Sequence, residues 1–450
     1  MRPDELRSWI EAETGRSVTA VERVSSGASR ATYIVRFDTG DDLVARVDTG
    51  DGPMAGTELS LPREAQAYRA LAGSAVRIPR LHAVEPEGRA LLVDRAAGTH
   101  ELTELDPEAR LAVMDDYLDA VADLHGVEPA GLELAGWRRP DGARGHAMAE
   151  LDCWEGILRG STTGPWPLAR FALRALRAEA PTSVSRTVLC HGDVGPGNFL
   201  HDGRRVTAML DWEFSHLGDP MDDLGWWVFR GHDMAGDCGD LAAQLARWSA
   251  RTGLRVEPRS IDFYRAVVML RWLISVAVAI DAGGSGLDLS VHRALVPLLS
   301  VRLPRALAAL GGRELPELDE LPDAGPGWAS GAIDSLQTDL TTVIGPTLTD
   351  PEARRRAGAA QLYLSHLAAV DHKGAAATER ELADLGELLG RRPASVADGQ
   401  GRLAAAIDEA TIDDEQLLAY FWRAGGRLVD LWPLVRPRAL GPATVVPTVG

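Results

Sequence analysis

The first hundred residues carry the short alternation of apolar and polar positions that predicts strands. The segments ATYIVRF (31–37) and LVARV (43–47) are rich in β-branched and aromatic residues, and a Gly-Asp turn separates them. Residues 77–98 add two similar segments around a Pro-Glu-Gly turn, and LPREAQAYRALA (61–72) has helical spacing with a proline in its first turn. Residues 1–97 are therefore predicted to form a small antiparallel sheet with one inserted helix.

Beyond residue 105 the apolar positions recur at helical spacing. In residues 106–126, Asp106 is placed to cap a helix, and Leu111, Met114 and Leu118 share one face of it. Two short β-rich runs, TVLC (187–190) and VTAML (206–210), interrupt this pattern. Residues 98–310 are predicted to be a mainly helical lobe that contains a β-hairpin island.

The composition shifts again at residues 311–331, which are rich in Pro, Gly and acidic residues and are predicted to be a linker. Residues 332–450 are rich in Ala and Leu at helical spacing, and the tail 436–450 is expected to be loose. The predicted fold class is thus α+β, with two lobes and an appended all-α C-terminal domain.

Composition excludes several classes of function. The 450 residues carry a formal net charge of −18, which argues against nucleic acid as a partner. The longest apolar run (266–280) is too short to span a bilayer and contains Arg271, so we expect a buried helix and no membrane partner. Three scattered cysteines fit a reducing, cytoplasmic location.

Candidate chemistry concentrates in HGDVGPGNFLHDGRRVTAMLDWE (191–213). Asp193 follows a strand on a tight turn, which suits a base that contacts a substrate hydroxyl. Asn198 offers a neutral amide oxygen for Mg²⁺, and Asp211, at the end of the next strand, offers a charged one. The hairpin would bring Asp211 back beside Asn198. Phosphoryl transfer from a nucleoside triphosphate needs this set of groups.

The spacing HGD-x-x-x-x-N followed by LDWE resembles the aminoglycoside phosphotransferase family, the small-molecule branch of the protein-kinase-like fold. The run GDPMDDLGWW (218–227) matches one that commonly follows in that family, where Asp219 and Asp223 would brace the loop. The resemblance covers roughly residues 1–310.

The resemblance also implies a nucleotide site in the first lobe. Arg46 stands where the family usually has a phosphate-pairing lysine, and Glu64 would pair with it; the single lysine of the chain, Lys373, lies far downstream. A loop between two strands would approach the phosphates, and the hinge between the lobes would read adenine. The other residues assigned to nucleotide binding are Ser26, Gly27, Ser29, Arg30, Val93 and Arg95.

The resemblance thus implies an ATP- or GTP-dependent, Mg²⁺-assisted phosphotransferase that acts on a hydroxyl of a small molecule. The acceptor is left open; acidic helices near 219–240 would suit a cation, but neutral and acyl-type acceptors also occur in such a family. One alternative, motivated by Arg46, is a non-catalytic nucleotide-binding pseudokinase or regulator. Another is an acyl hydrolase that uses Cys190 and His191. Residues 332–450 would form a homodimer, cap the cleft or bind a partner.

Overall fold

The computed structural model of this protein describes residues 1–24, 30–48, 50, 57–236, 238–283 and 289–449. The N-terminal lobe is a five-stranded antiparallel sheet in the order β1-β2-β3-β5-β4. Its elements are α1 (Pro3–Thr14), β1 (Val18–Val24), β2 (Ala31–Phe37), β3 (Leu43–Val47), α2 (Leu61–Leu71), β4 (Leu81–Val84) and β5 (Ala90–Asp94).

Alternation along the strands builds the core of this lobe. Val35, Ala45 and Leu92 point to one face of the sheet, where they pack in one cluster with Leu6 and Ile10 of α1. The helix α2 packs on the rest of the protein instead, because its buried residues belong to the larger core of the helical lobe.

The second lobe is mainly helical and contains two small two-stranded sheets. Its elements are α3 (Pro107–His125), α4 (Gly142–Ser161), α5 (Pro167–Ala178), β6 (Val188–Cys190), β7 (Phe199–His201), β8 (Val206–Met209), β9 (His216–Gly218), α6 (Pro220–Trp227), a π-helix (Val228–Ala235), α7 (Leu241–Thr252), α8 (Pro258–Ala282) and α9 (Leu289–Leu310).

Strand pairing in this lobe differs from the predicted single hairpin. The run 206–210 pairs with β7, and the run 187–190 pairs with β9, so each has its own partner strand. The strands β7 and β9 are only three residues long, and no periodicity can be recognised over three residues. The segment 191–198 therefore links two separate sheets.

The long apolar helix α8 lies inside the protein. It is long and apolar enough to cross a membrane by length and composition, but 83% of its most apolar window is buried. Arg271, the charge in this run, is 1% exposed because it is paired with acidic residues in the interior.

The C-terminal residues form five further helices: α10 (Ser330–Thr338), α11 (Pro351–Leu388), α12 (Val396–Asp408), α13 (Asp414–Asp430) and α14 (Arg436–Leu440). Side chains of α12 and α13 belong to the same buried cluster as those of α8 and α9. Between the lobe and these helices, the chain from 313 to 327 has no helix or strand and lies along α13, where Trp422 Nε1 donates to Pro316 O at 2.7 Å.

The C-terminal tail is held, contrary to the expectation that it is loose. Arg265 donates to Thr444 O at 2.6 Å, and Thr444 N donates to Asp233 Oδ1 at 2.9 Å. The tail was misjudged because its partners lie about 180–210 residues upstream, so nothing local in the sequence announces them.

Replacement of Gly425 by alanine should destabilise the protein by about 1–3 kcal/mol, because an added Cβ would lie 2.2 Å from Ser300 O and separate α13 from α9. Gly401 of α12 is the matched control: its added Cβ meets nothing within 4 Å, so Gly401→Ala should stabilise by about 0.5–1 kcal/mol. Urea unfolding of both variants measures the difference, and equal effects would contradict the tight α9–α13 contact.

Candidate active site

The loop that carries Asp193 is held by a buried carboxylate. Asp223, which has no exposed side-chain surface, accepts hydrogen bonds from His191 N and Gly192 N at 2.8 Å each and from His125 Nε2 at 2.9 Å. Gly192 has φ 80°, and a Cβ there would lie 2.2 Å from Phe214 O. Only glycine therefore fits this turn, and Asp223 braces it.

Two hydrogen bonds tie this loop to the segment that carries Asp211. The His191 ring donates from Nε2 to Leu210 O at 2.8 Å, and Leu210 N donates to Asn198 O at 2.8 Å. The β7–β8 hairpin returns the chain at this point. The geometry thus brings Asp193, Asn198 and Asp211 to one site, with His191 as a support.

Both carboxylate oxygens of Asp193 have protein partners. Asn198 Nδ2 donates to Oδ2 at 2.5 Å and to Asp193 O at 2.8 Å, while Arg230 Nη1 donates to Oδ1 at 2.6 Å. Burial raises the pKa of Asp193, although the Arg230 guanidinium opposes the rise. A carboxylate with a raised pKa is a better proton acceptor, and 15% of the side chain is still open to solvent.

Asp211 adopts a backbone conformation that non-glycine residues avoid. Its φ and ψ are both 64°, in the left-handed region, at a cost of about 1–2 kcal/mol. Arg46 Nη2 donates to Asp211 Oδ1 at 2.7 Å. Burial alone would raise the pKa of Asp211, but Arg46 brings it below its ordinary value, so the side chain is an anion at neutral pH.

These donor atoms fit a magnesium ion. The amide nitrogen of Asn198 donates hydrogen bonds to Asp193, so the Oδ1 of Asn198 is the atom available to a cation. Asp211 contributes an ionised carboxylate, and carboxylate and amide oxygens are the ligand types that Mg²⁺ prefers.

Arg46 and Arg30 share one buried carboxylate. Arg46 Nη1 lies 3.1 Å from Glu64 Oε1, while Arg30 donates to Glu64 Oε2 and to Leu59 O and lies 3.4 Å from Glu213. Glu64 is fully buried, and Arg30 is 5% exposed. Arg30, assigned by resemblance to the phosphates, therefore points into the interior and orders Glu64.

Of the remaining residues assigned to the nucleotide, the structure describes Val93 and Arg95. Ser26, Gly27 and Ser29 lie outside the described residues. Val93 is buried in β5, in register with Val44 and Leu81, and Arg95 follows that strand with its side chain bound to Asp42 at 2.7 Å. An open cavity of about 690 Å³ beside this hinge is lined by Asp42, Asp94, Arg95, Ala97 and Thr207, among others.

The Cys190–His191 pair does not form a nucleophile. Cys190 is fully buried, its Sγ faces Asp219 O at 3.4 Å, and burial raises the pKa of its thiol well above the ordinary value. Both ring nitrogens of His191 are used elsewhere, on Leu210 O and on Asp193 N. A buried thiol that neighbouring carboxylates keep protonated is not activated, which argues against the hydrolase alternative.

Sequence reasoning missed Arg230, which lies 37 residues beyond Asp193 in the π-helix Val228–Ala235. Short π-helical segments often occur at functional sites, but their sequences carry no recognised signal. The sequence itself shows a hint, an arginine that stands three residues after GDPMDDLGWW.

Comparison with known proteins shows the family to which the chain belongs. Residues 20–264, more than half of the chain, match the model of the phosphotransferase enzyme family. The chain belongs to this family. The resemblance to the aminoglycoside phosphotransferase family that the sequence predicted is thereby confirmed.

The fold of the phosphotransferase is also found among solved structures. A protein from Ralstonia eutropha that is assigned to the aminoglycoside phosphotransferases is 23% identical and superposes with a TM-score of 0.51 over 69% of this chain and 97% of that one. This likeness confirms the predicted two-lobed kinase-like fold. Choline kinase LicA from Streptococcus pneumoniae gives 16% identity and a TM-score of 0.47, over 69% and 98% of the two chains.

Curated relatives match only part of their own length. Acyl-CoA dehydrogenase family member 10 of Mus musculus is 25% identical over 238 residues, which are 50% of this chain and 22% of that protein. Acyl-CoA dehydrogenase family member 11 of Gallus gallus is 27% identical over 220 residues, 46% of this chain and 27% of that protein. The phosphotransferase thus spans about a quarter of the length of these relatives.

A charged cluster lies behind the loop of the phosphotransferase. His216 of β9 has its Nε2 3.1 Å from Asp222 Oδ2 and 3.6 Å from Glu150 Oε1, and Arg271 lies 2.7 Å from the same Asp222 oxygen. Burial alone would lower the pKa of His216, but Glu150 and Asp222 raise it to about 9. Since β9 pairs with β6, this cluster supports the strand that leads into the loop.

The raised pKa of His216 makes stability depend on pH. The folded pKa of about 9 exceeds the unfolded value of roughly 6.5, so the stabilisation is complete below the unfolded value and is lost as pH rises through the folded one. The free energy of unfolding should fall between about pH 6.5 and 9 and should do so less steeply in His216→Gln. Replacement of the exposed His100 by Gln is the control; an unchanged slope in His216→Gln would contradict the charged cluster.

Proposed function

We propose that this enzyme transfers the γ-phosphoryl group of ATP or GTP to a hydroxyl group of a small molecule, with Asp193 as the base. Two observations carry the proposal together. Asn198 donates to Asp193 and accepts from the backbone N–H of Leu210, the residue before Asp211. The Arg46 guanidinium lies 2.7 Å from Asp211. Membership in the phosphotransferase family supports it.

The proposed reaction is a direct displacement at phosphorus. The Asp193 carboxylate accepts the hydroxyl proton, the acceptor oxygen bonds to the γ-phosphorus, and the bond to the β–γ bridging oxygen breaks, which leaves a nucleoside diphosphate. Asn198 and Asp211 would hold Mg²⁺, which when bound neutralises charge on the phosphates. Arg46 would pair with the phosphates, and most of the rate gain would come from positioning and charge stabilisation.

Arginine at position 46 is chemically suited to this task. A guanidinium stays charged at every relevant pH and can bind two anionic groups at once. Here it already contacts Glu64 at 3.1 Å and Asp211 at 2.7 Å. These are the contacts that a phosphate-pairing cation needs for its orientation, so they favour the enzyme over the pseudokinase alternative.

Other expectations stay predictions. They are the preference for ATP or GTP, a cytoplasmic location, the lack of nucleic-acid and membrane partners, the nucleotide roles of Ser26, Gly27 and Ser29 and of the hinge, the domain boundaries, and a homodimer formed through residues 332–450.

Asp193→Asn should lower kcat for transfer by about 10²–10⁴-fold, because it removes the proton acceptor and leaves the shape of the loop. Phosphorylation of a hydroxyl-metabolite library with labelled ATP or GTP measures this loss. The control is Asp202→Asn, an exposed residue in the turn of the β7–β8 hairpin. Nucleotide binding without transfer to any hydroxyl, in wild type as in Asp193→Asn, would favour the pseudokinase.

Removal of magnesium with a chelator should abolish transfer, and added Mg²⁺ should restore it. Asn198→Ala and Asp211→Asn should each raise the Mg²⁺ concentration for half-maximal rate by at least about tenfold, since each removes one oxygen ligand. Asp202→Asn again serves as control, and thermal unfolding checks that the variants fold. An unchanged Mg²⁺ requirement in both variants would contradict the ligand assignment.

A further inference from the structure

Arg230 clamps the loop that carries the base. Its Nη1 donates to Asp193 Oδ1 at 2.6 Å and to Asp193 O at 3.1 Å, and its Nη2 donates to Pro196 O at 2.7 Å. The loop passes so close that a Cβ on Gly195 would lie 2.6 Å from Arg230 Cβ. The guanidinium is therefore fixed beside the oxygen that would meet the acceptor hydroxyl.

The clamp does not use all of the guanidinium. An arginine side chain has five N–H donors, and three of them serve Asp193 and Pro196. The other two make no hydrogen bond to the part of the chain that the structure describes, and 16% of the side chain is exposed. Arg230 thus presents free, positively charged donors at the edge of the loop.

Four of the carboxylates between residues 219 and 240 are buried and have partners within the protein. Asp219 caps α6 through Met221 N, Asp222 pairs with Arg271, and Asp223 braces the loop. Asp233 has no exposed side-chain surface and accepts from Thr444 N. The expectation that acids near 219–240 form a cation site therefore has no support among these four described carboxylates.

We propose that Arg230 recognises an anionic oxygen group on the acceptor, so that the enzyme phosphorylates hydroxylated carboxylates or phosphate esters rather than amino alcohols or amino sugars. This inference rests on the proposed function, because it concerns the same acceptor site. The Asp193–Arg230 pair is neutral overall, so Asp193 does not repel such an anion. The two free N–H donors form charge-assisted hydrogen bonds with its oxygens, and an ammonium group in the same place meets a like charge.

A purely structural clamp is the competing role. In that case Arg230 would only hold Asp193, and its loss would lower kcat for every acceptor alike. Recognition of an anion instead changes the ratio between acceptors. The selectivity ratio therefore separates the two roles, where activity alone would not.

The test uses the full chain with Mg²⁺ and nucleotide and a set of primary alcohols with two- to six-carbon spacers. Each spacer ends in a carboxylate, a phosphate, a carboxamide or an ammonium group. Both binding, in the presence of Mg-nucleoside diphosphate, and kcat/KM for transfer are measured at fixed ionic strength. We expect an anionic end group to be preferred to the carboxamide by at least about tenfold. The carboxylate and phosphate arms show which anion is recognised.

Variants of Arg230 then assign the preference. Arg230→Gln should remove it, and Arg230→Lys should keep part of it while kcat falls for all acceptors, because lysine retains the charge but cannot span the three loop acceptors. Arg247→Gln, which removes an exposed arginine of α7 that pairs with Asp119 of α3, should change nothing. Nucleotide affinity should be equal in all four proteins.

Three outcomes would overturn the assignment: an ammonium or carboxamide end group bound as well as the anions, an anion preference that survives in Arg230→Gln, or no anionic alcohol bound at all. Failure of the proposed function looks different. Transfer that depends on Asp193 but not on the acceptor's charge rejects the role of Arg230 and keeps the kinase. Anion binding that depends on Arg230, without transfer to any alcohol, rejects the proposed kinase activity and keeps the role of Arg230 in anion recognition.

Discussion

A carboxylate with no solvent exposure, Glu64, lies between the guanidinium groups of Arg30 and Arg46, and Arg46 reaches on to Asp211. Charges this deep in a protein persist only when they are paired, and removal of one partner from such a group typically costs about 3–5 kcal/mol. The cluster joins the sheet lobe to the helical lobe across 165 residues of sequence. The position of Asp211, and with it the whole reactive site, depends on this constraint.

Arginine in place of lysine suits this arrangement. A buried lysine can lose its proton because its pKa shifts readily, whereas a buried arginine stays charged. Arg30 and Arg46 together face two carboxylates, Glu64 and Glu213, so the cluster is balanced before Asp211 is counted. The direct contact with the permanently charged Arg46 keeps Asp211 ionised, as the lowered pKa of its carboxyl indicates.

A second set of buried charges holds the loop from the other side, and it links the site to the end of the chain. Asp223 binds the loop backbone, while Arg230 of the following π-helix binds Asp193. The same π-helix contains Asp233, which the C-terminal tail contacts through Thr444. The C-terminal tail is thus in contact with the π-helix that carries Arg230.

Local patterns in the sequence were enough to predict much of the fold of this protein. Strand alternation, helix caps and the spacing of Asp193, Asn198 and Asp211 depend on neighbours within a few residues, and the sheet lobe, the helical lobe and the hairpin follow from them. The inward turn of Arg30, the clamp by Arg230, the pairing of β9 with β6 and the docking of the tail arise from partners tens to hundreds of residues away. Side-chain direction and long-range pairing are set by which buried charges must be neutralised once the chain is packed, and a one-dimensional pattern does not contain that information.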